Sequence, residues 1–286
     1  IYNAVIDRLL DRGQAYYCHC TPEALEERRK AAMQKGLKPK YDGRCRELSL
    51  GPKAEAVVRL KTPLSGATRF KDLIKGAITF QNEELDDLII RRSNGSPTYH
   101  LAVVADDIDL NITHVIRGDD HVNNTPRQIL IYKALGEPVP QYGHLPMILG
   151  PDKTRLSKRH GATSVLAYRD MGYQEKFSLD ELVEKFSLSH VGKAAGIFNA
   201  EKLLDLNARY IRETPDQTLA RELSPFLQNL GLRDIDSQRL EDVVPLLKPR
   251  SKTLVDMAEG ARFCFEQEIH YEKKGETKFL TPDVAD

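Results

Sequence analysis

Residues 111–138 read NITHVIRGDDHVNNTPRQILIYKALGEP. An apolar stretch ends at Arg117, a polar turn follows, and a helix is predicted from the Thr125–Pro126 cap to Gly136. The next apolar stretch, LPMILG, is predicted to be a second strand. A strand, a helix and a strand in this order predict a βαβ unit, which is normally parallel and right-handed.

A basic loop follows the second predicted strand. Residues 151–161 read PDKTRLSKRHG, which is typical either of a solvated surface loop or of a loop that holds polyphosphate. Ligands of open α/β sheets bind beyond the carboxyl ends of the strands, so this loop and the preceding turn are expected to face one crevice. The cationic side chains expected there are Arg117, His121, Lys153, Arg155, Lys158 and Arg159. Ion pairing to nearby aspartates is the alternative, and spacing alone leaves both interpretations open.

Composition excludes several classes of protein. The 286 residues contain 42 basic and 42 acidic side chains, so any polyanion site must be local. No apolar run approaches the ~20 residues that span a bilayer. Four cysteines do not make a disulfide framework, which favours the reducing cytoplasm. Ile1 lies within an amphipathic pattern, which predicts that an N-terminal portion is absent from this sequence.

The flanking segments predict a change in organisation along the chain. A helix is predicted over TPEALEERRKAAMQKG, with Thr21 as N-cap, Pro22 at the first position and Gly36 as its end. Strand-like segments follow at AEAVVRLKTP and GAITFQN, so residues 16–98 are predicted to form a small α+β module. Beyond residue 175 the patterns are helical: SLDELVEKFSL, AEKLLDLNARYI and TLVDMAEGARFCFEQEI.

Several long motifs resemble one family. TRLSKRHG resembles the second signature loop of class I aminoacyl-tRNA synthetases, KMSKS, in its KLSKR form. Six further segments are similar to motifs of bacterial glutamyl-tRNA synthetases: KYDGRCREL, NGSPTYHLAVVADD, ITHVIRGDDHVNNTPRQILIYKALG, GATSVLAYRDMGY, FNAEKLLDLNARYI and AEGARF. These motifs cover essentially the whole chain in the family's order, which makes the resemblance far more specific than one short match.

The resemblance implies an α/β fold: the second half of a class I synthetase Rossmann-type nucleotide fold, an inserted α+β acceptor-binding module and a C-terminal all-helical region. The implied domains are the end of the first Rossmann half (1–15), the inserted acceptor-stem-binding module (16–98), the second Rossmann half (99–150), the signature loop with connecting stem-contact helices (151–208) and the start of a helical anticodon-side domain (209–286).

The resemblance also implies roles for individual residues. Lys158 would be catalytic, stabilising charge on the ATP phosphates, and Arg155 stands where the family often has its first lysine. The full implied ATP-binding set is Asp120, His121, Arg155, Ser157 and Lys158. Tyr99 and Arg117 would bind glutamate, because a guanidinium can pair with a carboxylate in a bidentate geometry. A core tyrosine at 99, and turn or cap roles at 120 and 121, are the alternatives.

Some relatives hold a structural zinc with a C-x-C pair and a third cysteine 25 positions later, which the resemblance aligns with Cys18, Cys20 and Cys45. The relatives' fourth ligand, a histidine, is replaced by Glu47, and Tyr41 is the alternative ligand. Three thiolates and one oxygen can form a tetrahedral site. The other interpretation is three reduced cysteines near a hairpin.

The implied function is that of a glutamate–tRNA ligase, which uses ATP and Mg²⁺ to activate L-glutamate and transfers it to the 3′ end of tRNA-Glu. The implied protein is a monomeric cytoplasmic enzyme without a membrane partner. The family's first signature, H-x-G-H, is absent, so this stretch by itself is not expected to form an adenylate. A glutamyl-queuosine tRNA synthetase-like paralogue and a non-catalytic tRNA-binding module are the alternatives.

One segment of the family pattern is absent. The family continues after GATSVLAYRDMGY with another helical segment, whereas Tyr173 is followed here directly by Gln174. Either residues are missing from the sequence at this point, so that the two are not neighbours in the protein, or a true deletion exposes apolar surface.

Overall fold

The computed structural model describes residues 1–37, 39–156, 165–174, 177–233 and 235–266. The chain divides into two compact units, one comprising Ile1–Met147 with Ser187–Gly196 and the other Ile148–Phe186 with Ile197–Asp286. The first unit contains α1 (Tyr2–Asp11), β1 (Ala15–Cys18), α2 (Pro22–Gln34), β2 (Val57–Leu60), β3 (Ala67–Asp72), β4 (Gly76–Gln81), β5 (Ile89–Arg91), α3 (Tyr99–Asp109), β6 (His114–Gly118), α4 (Thr125–Leu135) and β7 (Gln141–Leu145).

Two sheets organise the first unit. The smaller sheet is antiparallel, with strand order β1-β2-β5. The larger sheet has the order β4-β3-β7-β6, in which β3 and β4 form an antiparallel hairpin and β3 runs parallel to β7. The pairing of Asp72 with Tyr142 therefore brings the end of the β3 strand beside the start of β7.

The predicted βαβ unit is confirmed. β6 and β7 are parallel, with His114 opposite Gln141, and α4 connects them. Gly136 ends α4 with a φ of 71°, a left-handed conformation that glycine adopts without steric cost. The prediction that LPMILG forms the second strand is wrong: β7 is formed by QYGHL, and only Leu145 belongs to both segments, while Ile148–Leu149 forms a short strand of a different sheet. Pro146 follows β7, and because it has no N–H to donate it ends the strand pairing.

The predicted helix and strands of the 16–98 segment are also confirmed. The Thr21 hydroxyl accepts a hydrogen bond from the Ala24 N–H (3.3 Å) and caps α2, and Gly36 follows the helix with a φ of 68°. The core cluster joins α1, α3 and α4 with the smaller sheet and the segment before β5: Ile6, Leu9, Ala15, Val58, Leu60, Leu85, Ile90, Leu101, Val104, Leu130, Ile131, Tyr132 and Leu135.

The second unit is mainly helical in its described part. It contains β8 (Ile148–Leu149), α5 (Val165–Asp170), α6 (Leu179–Lys185), α7 (Ala200–Glu213), α8 (Asp216–Asn229), α9 (Ser237–Leu247) and α10 (Leu254–Phe265), and the short β9 (Gly196–Ile197) lies at the boundary between the units. Capping boxes begin α6 at Ser178 and α10 at Thr253. α8, α9 and α10 pack around Leu219, Leu223, Val244 and Met257, which are each at most 1% exposed.

Helix α6 carries uncovered apolar side chains. Leu179, Leu182, Val183 and Phe186 are between 50% and 76% exposed. The expectation that residues are missing between Tyr173 and Gln174 stays a prediction. Within the described residues, no helix is long and apolar enough to cross a bilayer.

Candidate functional site

Arg117 lies at the end of β6, where the sequence placed it. Its Nη2 donates to the Thr125 hydroxyl and to the Gln128 side-chain oxygen, both at 2.8 Å, and its Nε donates to His144 Nε2 at 3.3 Å. Thr125, Gln128 and His144 are each at most 1% exposed, so one edge of the guanidinium is fixed by buried acceptors. The described residues provide no hydrogen-bond partner for Nη1 and no carboxylate within ion-pair distance of Arg117. A strongly oriented cation with free donors is suited to an anionic ligand.

Two aromatic rings predicted to belong to the site lie close together. Tyr99 begins α3, is 49% exposed, and has its ring centroid 6.4 Å from that of His121. The Nδ1 atom of His121 is 3.0 Å from the Asn124 side-chain nitrogen, so His121 is held against the turn that follows β6. The exposed ring of Tyr99 is therefore free to contact a ligand at this end of the sheet.

The turn between β6 and α4 depends on Gly118. A Cβ atom at this position would lie 2.5 Å from Asp120 Oδ1, well inside contact distance. The exposed Asp120 side chain thus folds back over the glycine. A side chain at 118 would displace Asp120, and with it the geometry of a turn whose residues are predicted to contact the nucleotide.

His100, which sequence reasoning did not single out, lies beside these residues. Its ring is 5.4 Å from that of Tyr99, and its Nδ1 is buried without a hydrogen-bond partner among the described residues. Burial, followed by the positive charges of Arg127 and Arg117, lowers the pKa of His100 to about 4. The site therefore keeps this imidazole neutral at physiological pH.

The neutral state of His100 makes stability depend on pH. Because its pKa is about 4 in the fold and ~6.5 when unfolded, the unfolded chain binds the extra proton first as the pH falls. We expect His100 to contribute a loss of about 1 kcal/mol in the free energy of unfolding between pH 7.5 and 5.5. Urea titrations at both pH values should show a smaller loss in His100→Gln than in the unchanged protein. Equal losses in both proteins would contradict this, and the exposed His114→Gln variant is the control.

The described part of the basic loop turns back on itself in the second unit. The Leu156 N–H donates to the Ile148 carbonyl (2.9 Å), and the Thr154 N–H and hydroxyl both donate to Asp152 Oδ1. Arg155 lies in an isolated bridge opposite Leu149. The expectation that this loop follows the strand next to β6 is wrong, because it follows β8, which belongs to a different sheet from β6 and β7. Ser157 and Lys158 lie outside the described residues, and the single crevice expected for the loop and the turn after β6 stays a prediction.

The three cysteines predicted to bind zinc converge in the first unit. Their sulfur atoms all lie within 4.8 Å of one another, and Cys20 Sγ is 3.6 Å from Cys45 Sγ. Two thiolates on one tetrahedral zinc would lie ~3.8 Å apart, from Zn–S bonds of ~2.3 Å, so the separation of Cys20 and Cys45 fits the ion. Tyr41 is close to the group, with its hydroxyl 3.4 Å from Cys18 Sγ. Glu47, the other predicted ligand, points away from the cluster: its side chain is 81% exposed and pairs with Arg46.

Electrostatics in the cysteine cluster favour a thiolate at Cys18. Burial opposes its ionisation, but a hydrogen bond from Tyr41, the backbone N–H of Cys20 and the charge of Arg59 lower the pKa of Cys18 to about 7. Burial and the adjacent thiols raise the pKa of Cys20 to about 11. The Arg59 guanidinium carbon lies 3.7 Å from the centroid of the Tyr41 ring. A cation held here offsets the negative charge of a thiolate-rich ligand set.

Two comparisons of sequence place these features in a family. A family model described as tRNA synthetases class I (E and Q), catalytic domain, matches residues 1–207. A second model, described as an anticodon binding domain, matches residues 218–285. These matches agree with the α/β first unit and the helices of the second, and the predicted fold class is confirmed.

Individual relatives agree with the family models. The chain is 54% identical over 303 residues to Glutamate–tRNA ligase 1 of Syntrophus aciditrophicus (strain SB), with 100% of this chain and 64% of that protein covered. It is 53% identical over 304 residues to the Glutamate–tRNA ligase of Geotalea uraniireducens (strain Rf4), covering 100% of this chain and 65% of the relative. The chain thus spans slightly less than two thirds of the length of these relatives.

A solved structure gives the same result. The crystal structure of a glutamate tRNA ligase from Elizabethkingia meningosepticum CCUG26117 in complex with its amino acid matches with a TM-score of 0.80 at 27% identity. The match covers 99% of this chain and 66% of that one. The predicted resemblance is confirmed, and the chain belongs to the class I tRNA synthetases of the glutamate and glutamine (E and Q) family.

Proposed function

We propose that this chain is the glutamate-binding and tRNA-facing part of a glutamate–tRNA ligase. The observation that carries the proposal is Arg117, a guanidinium fixed at a strand end by buried neutral acceptors and with donors left for a carboxylate. The proposal includes the domain boundaries implied by the motifs, with residues 16–98 facing the acceptor stem and residues from 209 onward belonging to the anticodon side. We further propose that the protein is a monomer and lies in the cytoplasm.

The reaction has two steps. The α-carboxylate of L-glutamate attacks the α-phosphorus of ATP, pyrophosphate leaves, and a hydroxyl of the tRNA 3′ ribose then displaces AMP from the glutamyl-adenylate. Arg117 pairs with a carboxylate of glutamate and Tyr99 contacts the amino acid with its exposed ring. Asp120, His121, Arg155 and Ser157 bind ATP, and Lys158 stabilises the charge that develops on the reacting phosphate. Mg²⁺ bound with ATP would supply further neutralisation of the phosphate charge.

Formation of the adenylate would also require the H-x-G-H signature, which this sequence does not contain. The activity is therefore proposed for the full-length protein, by which we mean a protein in which this chain is joined to the segment that carries that signature.

We propose that Cys18, Cys20, Cys45 and Tyr41 hold a structural zinc ion. The proposal is supported by the convergence of the three sulfurs and the hydroxyl, and by the exposure of Glu47. The ion would connect the end of β1 with the loop after α2, which has few other buried contacts. Its contribution would be to the stability of the module rather than to chemistry at the phosphate.

Metal analysis tests the zinc proposal. Purified chain should contain close to one zinc per molecule, and Cys45→Ser should lose it, because a neutral hydroxyl is a poor replacement for a thiolate ligand. Tyr41→Phe should bind zinc more weakly in competition with a chelator, whereas Glu47→Gln should not. Cys264→Ser is the matched control, since Cys264 lies in α10 of the other unit. Metal-free protein with the stability of the unchanged chain would contradict the proposal.

A charging assay tests the function. The full-length protein should attach labelled glutamate to tRNA-Glu in an ATP-dependent reaction, and removal of the 3′-terminal adenosine should abolish the attachment. Attachment that survives this removal would favour the glutamyl-queuosine alternative, in which a base accepts the glutamate. Binding of tRNA without any attachment would favour the non-catalytic module.

A further inference from the structure

Two buried side chains, Asp72 and His144, form a hydrogen-bonded series that ends at Arg117. Asp72 lies at the end of β3, His144 in β7 and Arg117 in β6, so the series crosses three strands of one sheet. Asp72 is 2% exposed and His144 is fully buried. Neither Asp72 nor His144 was predicted from the sequence to belong to a functional site.

Asp72 is held as a fixed anion. Its Oδ1 accepts hydrogen bonds from the backbone N–H groups of Ile74 (2.9 Å), Lys75 (2.8 Å) and His144 (3.2 Å). Burial opposes ionisation, but the Lys75 N–H, the His144 side chain and the Ile74 N–H together hold the pKa of Asp72 below its ordinary value. Oδ2 is left to accept from the His144 ring, 2.6 Å away.

This contact fixes the proton on His144. A carboxylate can only accept, so Nδ1 must carry the hydrogen, and burial lowers the pKa of His144 and keeps the ring neutral. Nε2 then has only a lone pair. That lone pair faces Arg117 Nε at 3.3 Å and the Thr125 hydroxyl at 3.0 Å, both of which can donate to it.

The neutral ring separates the two charges. If Asp72 paired directly with Arg117, the guanidinium would already be neutralised by a carboxylate of the protein. With His144 between them, Arg117 is oriented by neutral acceptors, and its charge stays available to a ligand. We propose that Asp72 and His144 are positioning residues that orient Arg117 for the glutamate carboxylate, through the Nδ1–H tautomer of His144; this inference rests on the proposed role of Arg117.

The first test uses the unchanged 286-residue chain. Labelling histidine with ¹⁵N and comparing its spectrum with that of His144→Gln assigns the His144 ring. At pH 7 the ring should be neutral with the proton on Nδ1. A proton on Nε2, or a charged ring, would overturn the proposal without any need for a folded Asp72 variant.

The second test is Asp72→Asn, which keeps the shape of the side chain but replaces Oδ2 with an amide donor. The new amide N–H can only donate, so Nδ1 of His144 must accept and the ring hydrogen must move to Nε2. There it would face the N–H of Arg117, and the hydrogen bond between the two side chains would be lost. In the full-length protein, the KM for glutamate in ATP–pyrophosphate exchange should rise about 10- to 100-fold, the scale for losing an orienting partner behind a ligand. The kcat should change much less, because the groups that act on the phosphate are not displaced.

Asp87→Asn is the matched control, because Asp87 is also buried and hydrogen-bonded in the first unit but contacts Tyr16, Arg46 and Thr62. The Asp87→Asn substitution should lower stability, but it should leave the His144 proton on Nδ1 and the KM for glutamate unchanged. An unchanged KM in Asp72→Asn, alongside a strong effect of Arg117→Leu, would overturn the positioning role alone. An unchanged KM in Arg117→Leu would instead overturn the proposed glutamate site.

Discussion

Arg117→Leu should weaken glutamate binding by the full-length protein about 10²–10³-fold, the scale for leaving a carboxylate without its cationic partner. Leucine keeps the apolar stem of the side chain but removes every donor, so a bound carboxylate would lose its charge-assisted hydrogen bonds. The preference for glutamate over glutamine should fall by a similar factor, since the amide gains least from the guanidinium. Calorimetric titration with both amino acids measures these changes.

Arg92→Leu is the control for this variant. Arg92 also donates to neutral acceptors, Ser96 and the Pro97 carbonyl, but in an exposed turn. The Arg92→Leu variant should therefore bind glutamate with the same affinity as the unchanged protein. Thermal unfolding should confirm that Arg117→Leu is folded, although the Thr125, Gln128 and His144 acceptors lose a donor and some stability with it. Normal glutamate affinity in folded Arg117→Leu would show that this residue does not bind the substrate.

Lys158→Ala should lower the rate of ATP–pyrophosphate exchange by the full-length protein about 10²–10³-fold, the scale for one lost charge contact in a transition state. Glutamate affinity should change far less, because the lysine is assigned to the phosphates. Lys185→Ala is the control, since Lys185 lies at the end of α6, outside the basic loop. A full exchange rate in Lys158→Ala would mean that the basic loop is a solvated surface segment.

The end of β6 was predictable because local signals agree there. An apolar strand, a turn, Pro126 at the helix start and Gly136 at its end all belong to one continuous segment. Together they fix where Arg117 and the following turn lie relative to the sheet. The start of β7 was less predictable, because the alternation of QYGHL is masked by its glycine and histidine, whereas LPMILG is visibly apolar.

The partners of Arg117 were not predictable from the sequence. Asp72 and His144 are 72 positions apart, and they meet only because β3 pairs in parallel with β7 at Asp72 and Tyr142. No local pattern specifies such a register between distant strands. Asp72 in FKDLIKG has the sequence appearance of an ordinary polar residue at the end of a strand.

The cysteine cluster shows a different limit of sequence reasoning. The resemblance identified the three thiols, and it gave Glu47 as the fourth ligand with Tyr41 as the alternative, because both are near Cys45 in the chain. The backbone conformation separates them. The Cys45 N–H donates to the Tyr41 hydroxyl at 3.0 Å, which holds the phenol beside the sulfurs, while Glu47 extends toward solvent.

The most direct test of the central claim is amino-acid-dependent exchange of pyrophosphate into ATP, measured on the full-length protein with tRNA present. Glutamate should support exchange, and glutamine and aspartate should support little, because one lacks the second carboxylate and the other places it one methylene too close. The Arg117→Leu variant should lose the response to glutamate. Exchange supported equally by glutamine, or by no amino acid at all, would contradict the assignment of this chain to glutamate activation.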